Sequence, residues 1–315
     1  MTKLEKFQSI KKDFGLSFAV RYYYLRETKQ YSRYIALVRD YLTSYLRPLI
    51  EEYQSVDSNI DLASGKDIWV CWWQGKSAMP DFCKMCYENL LYNTPADYTV
   101  HLITKDNYNE YAKIPDNIVR KMEAGKLSVT QFSDILRESL LYNNGGFWID
   151  ASVWVTSDYL SAIDFDASFW SIKLPEVDDC SVLGQVVSEC KWSGFVLAGK
   201  KGNLLFKFLY EAMCKYFGEH DSTIDYFIQN ILLRIAYENI PSIRIQIDQV
   251  PYSNLHLYEL YRHMDEPFES TLWDELCSDT TIFKLTQKRP YKEFSNGKRT
   301  FYGYLRETNQ KQQTR

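Results

Sequence analysis

Apolar positions change their period sharply between Ser128 and Thr156. Phe132, Ile135, Leu136, Leu140 and Leu141 recur at the three-to-four spacing of a helix face, which Asn143-Asn144-Gly145-Gly146 then stops. Phe147-Trp148-Ile149 follows as a short buried-type strand ending at Asp150. On the helix, Asp134 and Arg137 lie three residues apart and so share a face. The pattern predicts a helix, a glycine turn and a strand that bring three charged side chains together.

The same reading orders the rest of the chain. Tyr34, Ile35, Val38, Leu42, Tyr45, Leu46 and Leu49 predict an amphipathic helix over 31–49, stopped near Pro48, and the polar stretch 54–66 reads as a linker. Strands are predicted at 68–73, 99–104, 169–172 and 195–198, and 281–286 reads as a last strand and loop. Helices are predicted over 80–92, 115–124, 203–217 and 222–237, the last capped by Ser222. Strand-helix-strand order predicts a parallel α/β sheet with right-handed crossovers. The domain plan is a helical arm and linker at 1–66, an α/β domain at 67–290 and a basic, flexible tail at 291–315.

Charge is distributed unevenly. Residues 1–39 carry nine Lys or Arg against three acids, and residues 284–315 carry nine against two, although the whole chain is −4. Basic ends can attract an anionic membrane surface. No stretch is apolar enough to span a bilayer and the polar start is not a signal peptide, so the expectation is a cytoplasmic protein at the inner face of the plasma membrane. Seven cysteines form no framework, which agrees with a reducing compartment, and Cys83-x-x-Cys86 lacks the second pair a zinc site needs. The 25 Tyr, 17 Phe and 8 Trp supply flat rings on which a sugar or a base can pack, while most of them are expected in the core.

Parallel sheets bind ligands outside the carboxyl ends of their strands, and a carboxylate there can hold a hard divalent cation against phosphate oxygens. That chemistry suits a nucleotide-sugar diphosphate. Ser133-Asp134-Ile135-Leu136-Arg137, Leu141-Tyr142-Asn143-Asn144-Gly145-Gly146 and Trp148-Ile149-Asp150-Ala151-Ser152 resemble the helix, glycine turn and DxD strand of GT-A glycosyltransferases. The resemblance is to family 32 and, within it, to the capsular polysaccharide synthesis glycosyltransferases, and it runs from about Asp67 to Leu285.

This resemblance implies a GT-A, Rossmann-like fold, a mostly parallel sheet flanked by helices behind an N-terminal helical extension. It implies a retaining hexosyltransferase that moves sugar from a UDP donor to a hydroxyl of a polyprenyl-linked oligosaccharide of capsule or cell surface, with no nucleic-acid partner. Trp73 or Trp72 would stack on the uracil. Asp134, Arg137, Gly145, Gly146, Trp148 and Ser152 would line the donor site, with Asp150, Arg137 and Asp134 as the catalytic group. Asp150 and Ser152 would hold Mn²⁺ or Mg²⁺, although Ser152 stands where the motif has a second acid and a hydroxyl is a weaker ligand. Trp192 and Asp225 would face the acceptor, and Lys284 is a candidate late contact to pyrophosphate or metal. The rival readings are a nucleotide-sugar-binding protein with weakened catalysis and a nucleotidyltransferase. Against the latter, Trp73-Gln74-Gly75-Lys76 is too poor in glycine to cradle a triphosphate.

Overall fold

The computed structural model describes residues 3–56, 65–175 and 187–313. Its strands are β1 (Asp67–Cys71), β2 (Thr99–Ile103), β3 (Gly146–Ile149), β4 (Val153–Val155), β5 (Phe169–Ser171), β6 (Val196–Gly199), β7 (Ile282–Lys284), β8 (Phe294–Ser295) and β9 (Lys298–Arg299). Five of them form one sheet in the order β2-β1-β3-β6-β5. β1 runs parallel to β2 and to β3, with Trp69 opposite His101 on one side and Trp148 on the other. β6 is antiparallel to both β3 and β5, so the sheet is mostly parallel with one reversed strand. β4 leaves that sheet and pairs antiparallel with β7, which places Lys284 opposite Val153.

The helices are α1 (Lys3–Phe14), α2 (Leu16–Glu27), α3 (Tyr31–Tyr45), α4 (Arg47–Gln54), α5 (Asp81–Asn93), α6 (Tyr108–Tyr111), α7 (Asp116–Glu123), α8 (Val129–Asn144), α9 (Leu204–Glu219), α10 (Ile228–Asn239), α11 (Pro241–Asp248), α12 (Glu259–His263), α13 (Ser270–Leu276) and α14 (Phe301–Gln313). The arm packs its apolar face onto the main fold: Tyr34, Val38, Leu42, Leu46 and Tyr53 are buried, and the Tyr22 and Tyr53 hydroxyls donate to Ile224 O (2.8 Å) and Glu211 Oε2 (2.7 Å).

Several elements differ from expectation, each for a local reason. Pro48 opens α4 instead of ending the arm helix, because in a first turn its missing N–H has no partner to lose. The first strand stops at Cys71, and Trp72-Trp73 turn away where Gly75 N donates to Trp72 O (2.9 Å). The helix expected from Ser222 starts only at Ile228, because Asp225 Oδ1 accepts from Phe227 N (2.7 Å) in a local turn that competes with the helix. The tail expected to be flexible carries α14, with Phe301 and Leu305 fully buried. Residues 57–64 of the polar linker and residues 176–186 lie outside the described residues.

The turn that feeds β3 admits only glycine. Gly145 and Gly146 have φ of 72° and 94°, and a Cβ on Gly146 would come within 2.2 Å of Asp67 O. Close approach of β3 to β1 depends on that missing side chain.

Candidate active site

Ser128 caps α8 by accepting from Gln131 N (3.2 Å), and the buried apolar stripe Phe132, Ile135, Leu136 and Leu140 seats the helix against the sheet. That seating turns Asp134, Arg137 and Glu138 inward. Arg137 Nη1 donates to Asp134 Oδ1 (3.1 Å) and Gln229 Oε1 (2.6 Å), and Nη2 donates to Asp150 Oδ1 (3.3 Å). The guanidinium carbon lies 4.7 Å from the centre of the Trp148 ring, whose Nε1 also donates to Asp150 Oδ1 (3.1 Å). From the other side, Lys284 Nζ donates to Asp150 Oδ2 and Ser152 Oγ, both at 3.0 Å. Asp150 sits deep in the crevice, yet 31% of its side chain still meets solvent.

Burial would raise the Asp150 carboxyl, but Lys284 and Arg137 outweigh it and hold the group below its ordinary range. Asp134 moves the other way. Its burial, opposed by Arg137 and reinforced by Asp150, lifts it to about 6. Glu138 is fully buried and lifted to about 8 by burial, against the pull of Arg137 and of Gln229 Nε2, which donates to its Oε1 (2.6 Å). Its Oε2 is buried without a hydrogen-bond partner.

This has a consequence for stability. Between an ordinary 4.5 and about 8, the folded protein holds a proton on Glu138 that the unfolded chain has released, so stability falls as pH climbs through that window. Glu138→Gln, which cannot titrate, is expected to flatten the fall in melting temperature between about pH 6 and 8 by several degrees. Parallel pH profiles for the two proteins would contradict the buried neutral acid.

A family model described as capsular polysaccharide synthesis protein matches residues 21–305. The chain belongs to that family. Membership ties it to capsular polysaccharide biosynthesis as a biosynthetic enzyme, and the match takes in most of the arm as well as the sheet. No curated protein matches the chain.

In this capsular synthesis protein the remaining expected residues fall into two groups. Trp72 and Trp73 lie at the same carboxyl edge as Asp150, because the β1–β3 register sets Cys71 level with residue 150. Trp73 packs edge-on against Phe132 (ring centres 4.9 Å apart) and near Tyr108, whereas the Trp72 indole N–H is buried without a partner. The others are placed away from the cluster. Gly145 ends α8 and Gly146 begins β3, at the opposite end of that strand from Asp150, where both form the turn. Trp192 is buried and its Nε1 donates to Asn230 Oδ1 (3.1 Å). Asp225 accepts from the arm residue Tyr34 (2.5 Å), and its neighbour Tyr226 is exposed.

Glu138, Gln229 and Tyr226 escaped the sequence reading. Glu138 did carry a signal, being four residues after Asp134 on one helix face. Gln229 carried none. Two cavities include none of the cluster's charged residues: one of about 630 Å³ lined by Tyr108, Lys113, Asp116 and Arg120, and one of about 350 Å³ lined by Phe82, Gln287, Lys288 and Tyr291. The second borders the loop that follows Lys284.

The side chains as placed do not fit a divalent ion. Among the described residues no three His, Cys, Asp or Glu side chains gather to hold a metal, and both oxygens expected to bind one accept from the Lys284 ammonium. At an effective dielectric of 20, two unit charges 4 Å apart interact by about 4 kcal/mol, and a dication next to that ammonium doubles the repulsion.

Proposed function

We propose that the crevice at the carboxyl edge of β1 and β3 binds a nucleoside-diphosphate sugar, UDP-linked, and that the protein is a glycosyltransferase of GT-A type acting on a lipid-linked capsular oligosaccharide. The observation that carries this reading is the convergence of Asp134, Arg137, Asp150 and Lys284 on one solvent-reached point. Trp73, or Trp72 with its free indole N–H, would take the base. Asp134 and Asp150 would accept from sugar or ribose hydroxyls, and Arg137 would hold both carboxylates in register. In transfer with retention, the anomeric C–O bond breaks with its electron pair going to the diphosphate, and the acceptor proton follows to that oxygen as the new glycosidic bond forms.

A thermal-shift screen of UDP-, GDP- and dTDP-sugars tests it. A donor present at a hundred times its Kd stabilises the folded state by about 2.7 kcal/mol, so one UDP-sugar should raise the melting temperature by several degrees. If no nucleotide sugar does, the reading fails.

Among the described residues no helix is long and apolar enough to cross a membrane. α2 nonetheless exposes Leu16, Val20 and Tyr24 at four-residue intervals, with Lys6, Lys11 and Arg21 exposed on the same arm. We assign this surface to an anionic bilayer, which would put the protein beside a polyprenyl-linked acceptor at the cytoplasmic face. The protein is expected to sediment with phosphatidylglycerol vesicles but not phosphatidylcholine ones, and Val20→Glu should reduce that binding about tenfold. Equal sedimentation with both would contradict the assignment.

A further inference from the structure

We infer that Lys284 takes the place of a divalent cation opposite the departing diphosphate, so that transfer needs no metal. The inference rests on the nucleotide-sugar reading above and deepens it. Pairing of β7 with β4 fixes the lysine at the site, and Leu285 N donates to Ser152 O (3.1 Å), tying the two segments together. Its Nζ lies 4.5 Å from the centre of the Phe195 ring, an electron-rich face that attracts a cation. An ammonium has three N–H donors, and two point at Asp150 and Ser152. The third is left for a phosphate oxygen.

The same geometry explains Ser152. A second carboxylate would call for a dication to hold the pair together, whereas a neutral hydroxyl accepts one hydrogen bond from an ammonium and adds no charge. Four residues further on, exposed Lys288 places its Nζ 5.8 Å from the Tyr226 ring. Lys284 and Lys288 give the end of β7 and the loop after it two positive charges carried by the chain itself. As the anomeric C–O bond breaks, its electron pair stays on the diphosphate oxygen. The ammonium hydrogen-bonds to that oxygen, which takes up the acceptor's proton, and Lys284 ends the cycle with the protons it began with.

Two measurements on the full-length protein test this: Mn²⁺ binding without nucleotide, read by paramagnetic resonance, and UDP binding by calorimetry with EDTA or with Mn²⁺. Wild type should take up no Mn²⁺ at Asp150 and should bind UDP equally, within about threefold, in both buffers. Lys284→Ala should weaken UDP binding at least tenfold, and Lys284→Arg, which keeps the charge, should retain most of it and keeps the test decisive if the alanine variant does not fold. Lys284→Ala combined with Ser152→Asp should acquire UDP binding that requires Mn²⁺. Wild-type Mn²⁺ uptake lost in Asp150→Asn, or UDP binding that rises tenfold or more with Mn²⁺, overturns the inference and leaves the nucleotide-sugar reading standing. No UDP binding in any condition overturns both.

Discussion

Arg137→Met is expected to lower unfolding free energy by about 3–5 kcal/mol and to abolish nucleotide-sugar binding, because removing one partner of a buried ion pair strands the charge of the other. The side chain is 6% exposed, and its guanidinium touches Asp134, Gln229 and Asp150 together. Without it two carboxylates face each other across a buried site, and Asp134, already raised to about 6, would take up a proton at neutral pH. Arg137→Lys should fall between the two proteins, since a single ammonium cannot reproduce a planar fork with two ends. Urea unfolding monitored by circular dichroism measures the loss. A methionine variant within about 1 kcal/mol of wild type would show that the cluster is not held by this residue.

Asp150→Asn should leave the fold intact and lower kcat/KM for sugar transfer, or for hydrolysis of the donor, by about 10²–10³, the usual effect of deleting a preorganised electrostatic contact at a reacting centre. The amide is nearly isosteric, so Trp148 and Arg137 keep an oxygen to meet. What is lost is the negative charge that holds the Lys284 ammonium at the crevice. A catalyst loses turnover on this change, whereas a protein that merely binds nucleotide sugars has none to lose. A reduction smaller than about tenfold would favour the binding protein.

The part of this site that was legible in the sequence is the part built from local period. The α8 stripe, the glycine turn and the apolar run into Asp150 are contiguous, and the three-residue spacing of Asp134 and Arg137 already puts them on one face. What could not be read is what arrives from a distance. The resemblance already offered Lys284 as a contact, but not its pairing with Asp150 across 134 residues, which runs through β4–β7, and neither short strand announces its partner. Gln229 lies on a helix whose buried face is otherwise Ile, Leu and Ala, so nothing in its pattern marks it as a site residue. Trp72 and Trp73 continue a strand pattern without a break, so only the turn closed by Gly75 separates them from it. Asp225, accepting from the N–H of Phe227, delays the helix from 222 to 228 and is buried against the arm. The tail was misjudged for a composition reason. α14 is polar on most of its surface and is anchored chiefly by Phe301 and Leu305, with Asn309 reaching Glu88 (3.3 Å).

The central claim is that one diphosphate pocket lies between the tip of β3 and α8. A crystal structure of the protein with UDP tests it most directly. The diphosphate is expected within hydrogen-bond reach of Lys284 Nζ, and the uracil against Trp73 or Trp72. UDP bound instead in the cavity lined by Tyr108, Lys113 and Arg120, with Asp150 and Lys284 untouched, would contradict it.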